Sequence, residues 1–308
     1  MNGAAIATGA DTAAGGGRAA GGIGPDGFAS TGGAALWGRQ VGGIVRLELG
    51  KVLFSRRALI GWGLAAAPVL LLGTRMLAIL LFGGLDEAGR LPTIIEEEQV
   101  YAQVYQTLIM RLCLYFGCAA IFLGLIRGEV NDRALHYYLL APLKREVLIA
   151  GKFVGGLVGA FTLFSLSTLL TRLLMLAFAP ADAARAMFSA PWLTHTLMYL
   201  GITFLACLGY GAVFLAVGVA RVNPIIPTLI LFGLESVNIF LPAVLKQLSV
   251  VYYLTSLCPV PLDLGPIAIV ATPVAAPVAI LGLIALAGAL LAWSMRRSRR
   301  LEVDYGEE

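Results

Sequence analysis

Long runs of apolar residues dominate this sequence and restrict its fold more than any other feature. Six of them lie at residues 58–84, 106–127, 153–179, 195–220, 225–245 and 267–293. An α-helix needs about 20 apolar residues to cross about 30 Å of hydrocarbon, and each run is that long. Charged residues make up only 13% of the chain and its mean hydropathy is +0.86, which excludes a water-soluble globule. The runs therefore predict an all-α integral membrane protein with six transmembrane helices.

The segments outside the apolar runs differ in composition. Residues 1–35 are rich in Gly and Ala and offer little side chain to bury, which predicts a disordered tail. In residues 36–57, apolar positions recur near helical spacing among basic residues. This pattern indicates an amphipathic helix on the inner membrane surface, or alternatively a solvated helix that leads into the first span. The six-helix transmembrane domain then covers residues 58–295, and residues 296–308 form a tail.

Lys and Arg residues indicate the orientation of the chain in the membrane. With both termini inside, sixteen of the 22 basic residues lie on the cytoplasmic side. Because cytoplasmic loops carry an excess of Lys and Arg, we expect both termini in the cytoplasm and a multi-pass protein of the plasma (inner) membrane. The first external loop then contains an acidic cluster, consisting of Asp86, Glu87, Glu96, Glu97 and Glu98.

The cytoplasmic loop between the second and third runs, residues 128–150, carries the clearest functional signal. It is charged at both ends and apolar in the middle. Leu135, Tyr138 and Leu139 predict a short helix with one apolar face, and Pro142 ends it. A short amphipathic helix between two spans offers a docking element to a cytosolic partner.

In this loop the chain resembles the permease subunits of type-2 ATP-binding cassette (ABC) transporters. The family pattern runs from an acidic residue through Gly-Thr-Leu, aliphatic residues, Pro and Arg to Gly-Lys. The matching positions, in the same order and spacing, are Glu129, Ala134, Leu135, Leu139, Leu140, Pro142, Arg145, Gly151 and Lys152. The departures are Arg133 and Ala134, where the family has Gly and Thr. The resemblance implies coupling to an ATPase through Glu129, Arg133, Leu135, Leu139, Pro142 and Arg145.

The resemblance extends along most of residues 40–300. Residues 45–57 look like the amphipathic helix that the family places ahead of its first span. Residues 246–266 resemble the family's external segment of short re-entrant helices. The order of these parts along the chain matches the family's topology.

The resemblance also implies that the ATPase motor is a separate subunit. A phosphate-binding loop reads Gly, four residues, Gly-Lys and then Ser or Thr. Both Gly-Lys pairs, at Gly50 and at Gly151, lack the upstream Gly and the following hydroxyl. We therefore expect no enzyme activity and no bound cofactor in this chain, with ATP bound by a cytosolic ABC ATPase. The family further implies an exporter with a second permease subunit, either an identical copy or a similar chain.

A membrane-embedded enzyme, or an accessory scaffold without transport activity, is the alternative interpretation. An intramembrane enzyme needs polar residues that converge at one depth, whereas this chain has one mid-membrane carboxylate, Glu235. The four cysteines lack metal-ligand spacing. We therefore predict no catalytic residue and no metal site. The basic residues lie at the ends of apolar runs, which indicates membrane lipid rather than nucleic acid as their partner.

Glu235 is the most unusual residue in the apolar runs. It follows Pro224 by eleven residues, which places it about 16 Å deep, and a carboxylate there is costly unless it is paired, protonated or hydrated. We expect Glu235, with Asn238 one turn on, to face the translocation path or a dimer seam. The alternative is a structural ion pair with Arg75, Arg111 or Arg172. These arginines are themselves expected to reach the lipid headgroups, or to form a basic ring that attracts an anionic lipid or substrate.

Three glycines recur at four-residue spacing at the start of the third run: Gly151, Gly155 and Gly159. Small residues at this spacing let another helix approach closely. The pattern predicts a helix contact there, within the chain rather than between two subunits.

Overall fold

The computed structural model describes eight stretches of the chain, all of them helices, turns and short connections without a strand. They are residues 33–55, 58–82, 94–131, 145–177, 190–220, 223–237, 246–262 and 274–298. The predicted all-α class is therefore confirmed for this part of the chain.

Nine α-helices and one π-helical segment make up these stretches. In chain order they are α1 (Gly33–Phe54), α2 (Ala58–Phe82), α3 (Ile94–Val104), the π segment (Tyr105–Leu114), α4 (Tyr115–Asn131), α5 (Arg145–Ala177), α6 (Ala190–Val219), α7 (Ile225–Ser236), α8 (Val250–Thr255) and α9 (Ala276–Ser298).

Five helices in the described residues are long and apolar enough to cross a membrane, so the chain is a multi-pass membrane protein. They cover Ala58–Ala78, Ile95–Gly128, Glu146–Leu176, Pro191–Val219 and Ala276–Ser298. The second of them joins α3, the π segment and α4 into one continuous rod. The fifth predicted run, residues 225–245, is described only as far as residue 237, and its helix α7 has 12 residues. At 1.5 Å per residue α7 is about 18 Å long, shorter than the hydrocarbon core.

The second span begins earlier than its apolar run predicts. Glu96, Glu97 and Glu98 lie on α3 and not in a loop, so the predicted placement of these three residues is wrong. The helix accommodates them because two of them meet arginines from neighbouring spans, Arg75 on α2 and Arg172 on α5. Asp86 and Glu87 lie outside the described residues.

Three helices form the centre of the bundle and two flank it. Most of the α4, α5 and α6 spans is buried, whereas most of the α2 and α9 spans is not. The flanking helices expose large apolar side chains such as Leu59, Leu70 and Leu281. This is the arrangement expected where hydrocarbon rather than water covers the outer surface.

The N-terminal helix α1 packs lengthwise against the first turns of α5. A Cβ atom added to Gly151, Gly155 or Gly159 would approach side-chain atoms of Ile44, Glu48 or Val52 respectively, to within 3.0 Å. Residue numbers in α1 and α5 increase together along this contact, so the two helices are parallel. They lie side by side over about 12 Å. The predicted amphipathic helix therefore follows α5, with its contact face at four-residue spacing.

Candidate functional site

The predicted docking loop lies between α4 and α5. Glu129 is in the last turns of α4, and Arg145 is the first residue of α5. Arg133, Leu135, Leu139 and Pro142 fall in residues 132–144, outside the described residues, as does Asn238. The structure thus describes the two helices that flank the loop, but not the loop itself.

A buried ion pair lies at the base of this loop. Lys152 of α5 donates from Nζ to Glu48 Oε1 of α1 at 2.8 Å, and both side chains are only 1% exposed. The same Nζ donates to the backbone carbonyl of Leu125 on α4 at 3.1 Å. One ammonium group therefore ties together α1 and the two helices that lead into and out of the loop.

Gly155 lets α1 approach α5 closely enough for this ion pair to form. A Cβ at Gly155, one turn after Lys152, would lie 2.9 Å from Glu48 Cβ and 3.4 Å from Val45 Cα. With only hydrogen there, the backbone of α1 comes close enough for the short Glu48 side chain to reach the ammonium group. Lys51 adds a second, more exposed contact to Glu48 at 3.5 Å. A charge pair deep in a protein is tolerated only with such close geometry and further hydrogen bonds.

A second buried cation lies at the other end of α5. Arg172 is 2% exposed and donates from Nη2 to Glu98 Oε1 at 2.8 Å. Its Nε donates to Thr196 Oγ1 of α6 at 3.3 Å. The guanidinium carbon lies 4.7, 5.1 and 5.6 Å from the ring centroids of Tyr101, Trp192 and Tyr199. A planar cation among aromatic faces gains cation–π attraction as well as the ion pair.

Arg172 is buried within the protein, so the expectation that it reaches the headgroups is wrong for this residue, whereas for the partly exposed Arg75 it stays a prediction. Arg75 makes a two-pronged contact with Glu97, with both N–O distances at 2.9 Å. The arginines therefore anchor the N-terminal half of α3 to α2 and α5. The sequence signal for this was the run of three glutamates, whose partners lie 22 and 74 residues away.

Lys152 and Arg172 mark the two ends of a membrane-spanning length. Twenty residues separate them on a single helix, which is about 30 Å at 1.5 Å per residue. This distance equals the thickness of the hydrocarbon core. The stretch of α5 between the two cations is therefore long enough to cross a bilayer once.

Glu235 anchors the short helix α8. Its two carboxylate oxygens accept hydrogen bonds from Ser249 Oγ (2.8 Å) and from the backbone N–H groups of Val250 (2.9 Å) and Val251 (3.0 Å). These groups form the N-terminus of α8, where free N–H groups favour a negative charge. The alternative of an ion pair with Arg75 or Arg172 is wrong, because both have other carboxylate partners. Arg111 acts on Glu235 only through space.

The chemistry of the described residues is that of charge pairs and helix anchors. No group of three or more His, Cys, Asp or Glu side chains in this part of the chain could hold a metal ion. Comparison with protein-family models, curated proteins and solved structures gives no match. What the chain does must therefore be inferred from its own residues.

Proposed function

We propose that the chain is the transmembrane permease subunit of a type-2, exporter-like ABC transporter. It moves a substrate across the membrane with energy from ATP hydrolysed by a separate cytosolic subunit. The observation that carries the proposal is the Glu129-to-Lys152 pattern, which joins two central spans, α4 and α5. The last residue of that pattern, Lys152, is buried at the junction of three helices. Movement of this loop by a bound ATPase can therefore be transmitted to the helices of the bundle.

We further propose six spans with both termini in the cytoplasm of the plasma (inner) membrane. The fifth span is the 225–245 run that includes α7, and the even number of spans returns the chain to its starting side. The cytoplasmic excess of Lys and Arg supports this orientation. The roughly 30 Å separation of Lys152 and Arg172 fits one complete crossing by α5 in either orientation.

The partners in this proposal are a cytosolic ABC ATPase on the 128–150 loop and a second permease subunit. The second permease is an identical copy or a similar chain. Lipid covers the exposed apolar faces of α2 and α9, where Leu70 is 66% exposed and Leu281 equally so.

Co-purification with the ATPase tests the docking loop. We expect the tagged chain to retain an ABC ATPase encoded beside it. Arg145→Glu, or Leu139→Asp combined with Pro142→Ala, is expected to release that ATPase while the chain still elutes as a folded protein in detergent. The matched control is Arg297→Glu, an exposed charge reversal at the end of α9. Retention of the ATPase by both loop variants would remove the loop as the docking site. Failure of the unaltered chain to bind any ATPase would favour a scaffold or an embedded enzyme.

Transport measurements separate two roles for Glu235. If it faces the translocation path with Asn238, as the sequence predicts, Glu235→Gln changes transport at unchanged thermal stability. If it serves to hold α8, the same variant lowers stability and leaves transport per folded molecule unchanged. Its three hydrogen bonds to residues 249–251 lead us to expect the second result, because an amide oxygen is a weaker acceptor than a carboxylate.

A further inference from the structure

We propose that Glu48 and Lys152 are positioning residues that fasten α1 to the base of the docking loop, so that α1 moves with the loop during transport. This inference rests on the proposed function and adds to it the route by which motion leaves the loop. It is carried by the ion pair that joins α1 to α5 and, through the Leu125 carbonyl, to α4.

The ion pair is placed where it restrains both sides of the loop. Leu125 lies six residues before the end of α4, and Lys152 lies seven residues after the start of α5. Both helices therefore project about 10 Å beyond the ion pair toward the loop. A displacement of the loop therefore acts on α4 and α5, which the Lys152 ammonium group connects to each other and to α1.

From α1 the motion has a short path to the first span. α1 ends at Phe54 and α2 begins at Ala58, whose N–H donates to both the carbonyl (3.0 Å) and the hydroxyl (3.2 Å) of Ser55. Trp62 of α2 also donates from Nε1 to the carbonyl of Leu53 on α1 at 2.9 Å. These bonds tie the end of α1 to the first two turns of α2, so we expect a shift of α1 to carry α2 with it.

The contact between α1 and α5 is suited to joint movement and not to sliding. Glycines at 151, 155 and 159 leave space at each turn of α5 for the side chains of Ile44, Glu48 and Val52. Sliding by one turn would separate Glu48 from Lys152 and break the buried ion pair. Breaking a buried pair is strongly unfavourable, so the two helices keep one register.

A disulfide between α1 and α5 tests joint movement in the assembled transporter. A Cβ at Gly159 would lie 3.0 Å from Val52 Cβ, close to the 3.5–4.5 Å typical of disulfides. Native cysteines are absent from α1 and α5, so mass spectrometry of the linked peptide identifies the bond. In the Val52→Cys/Gly159→Cys chain we expect rapid oxidation and equal ATP-driven transport before and after it. Transport that stops on oxidation and returns on reduction would overturn the proposal, because α1 would then have to separate from α5.

Loss of the ion pair, with rescue by the same disulfide, tests the positioning role. We expect Lys152→Met to reduce substrate transported per ATP hydrolysed by about tenfold while ATP hydrolysis by the bound subunit continues. Oxidising the 52–159 disulfide in the Lys152→Met chain should restore most of this ratio. The matched control is Arg46→Gln, which removes an exposed charge from α1 and should leave the ratio unchanged. Normal transport per ATP in Lys152→Met, or a loss that the disulfide does not repair, would overturn the proposal.

Measurements on the same variants separate a failure of the ion-pair role from a failure of the permease function. Absence of ATP-driven transport in the unaltered complex would reject the permease function. The rate of disulfide formation needs no transport, and we expect Lys152→Met to slow it because α1 is held less firmly. An unchanged rate would show that the ion pair does not hold α1.

Discussion

In the orientation proposed above, α5 has an inner end at Lys152 and an outer end at Arg172, and each end buries one cation in a different way. At the inner end, Lys152 lies in a groove lined by small residues and is satisfied by one carboxylate and one carbonyl. At the outer end, Arg172 lies among three aromatic rings and bonds Glu98 and Thr196. The compact ammonium suits a place where three backbones meet, and the planar guanidinium suits a place where flat rings meet.

The difference between Lys152 and Arg172 indicates which interactions hold the helices together at each end of α5. The inner end depends on the ion pair and on glycine, because Gly151, Gly155 and Gly159 let side chains of α1 lie directly against the backbone of α5. The outer end combines the ion pair with aromatic packing, since Tyr101 and Tyr199 are fully buried and also pack edge to face at 5.0 Å. Removal of the cation should therefore be most costly at the outer end.

The largest effect is expected for Arg172→Ala. The change removes the partner of Glu98 and the cation between the rings, and we expect a loss of about 3–5 kcal/mol in unfolding free energy. Thermal unfolding of the purified chain in detergent measures it. Arg75→Gln is the control, because its pair with Glu97 is partly exposed and should contribute about 1 kcal/mol or less. Equal losses in the two variants would show that burial among the rings adds nothing.

A double-mutant cycle at the inner end should give the next largest effect. Glu48→Gln and Lys152→Met each break the buried ion pair, and we expect each to cost about 3 kcal/mol. The double variant removes both charges and should be more stable than either single variant. Chemical denaturation of all four chains provides the coupling energy. Additive losses would contradict a direct interaction between the two side chains.

A smaller effect is expected when the glycine groove is filled. Gly155→Ala places a methyl group 2.9 Å from Glu48 Cβ, so α1 must move away, at a cost of about 1–3 kcal/mol. Gly124→Ala is the matched control within α4, since no heavy atom lies within 4 Å of its added Cβ. That variant should be neutral or slightly more stable, because Ala favours helix over Gly. If both variants behave alike, close approach of α1 is not what Gly155 provides.

The fold class followed from apolar run lengths, because a membrane leaves a chain few options other than long helices. The three glycines also gave a usable signal, since their four-residue spacing marks one helix face whatever packs on it. The start of the second span could not be predicted from apolarity. Glu97 and Glu98 look like loop residues until their partners, Arg75 and Arg172, are known to face them.

The candidate site was predictable only in part for a related reason. Lys152 ended a recognisable pattern, but its partner Glu48 lies 104 residues earlier, and charge alone does not identify such a pair. Glu235 stood out as a charge within an apolar run, yet its partners are backbone N–H groups, which every residue type supplies. Sequence patterns show where a charge is unusual, but pairing depends on which helices become neighbours.

The π segment makes the second span unlike α5 in its tolerance of length changes. Its N–H groups bond to carbonyls five residues back, so Tyr105–Leu114 holds more residues per turn than the α-helices at its ends. Deleting one residue there can be absorbed by a return to α-helical geometry, which keeps Glu98 and Tyr115 on their present faces. The α-helix between Lys152 and Arg172 contains no π-helical turn that could absorb a deletion. A deletion there would rotate one cation away from its site by about 100°. Over evolution, insertions and deletions should therefore accumulate in the second span and be excluded from α5.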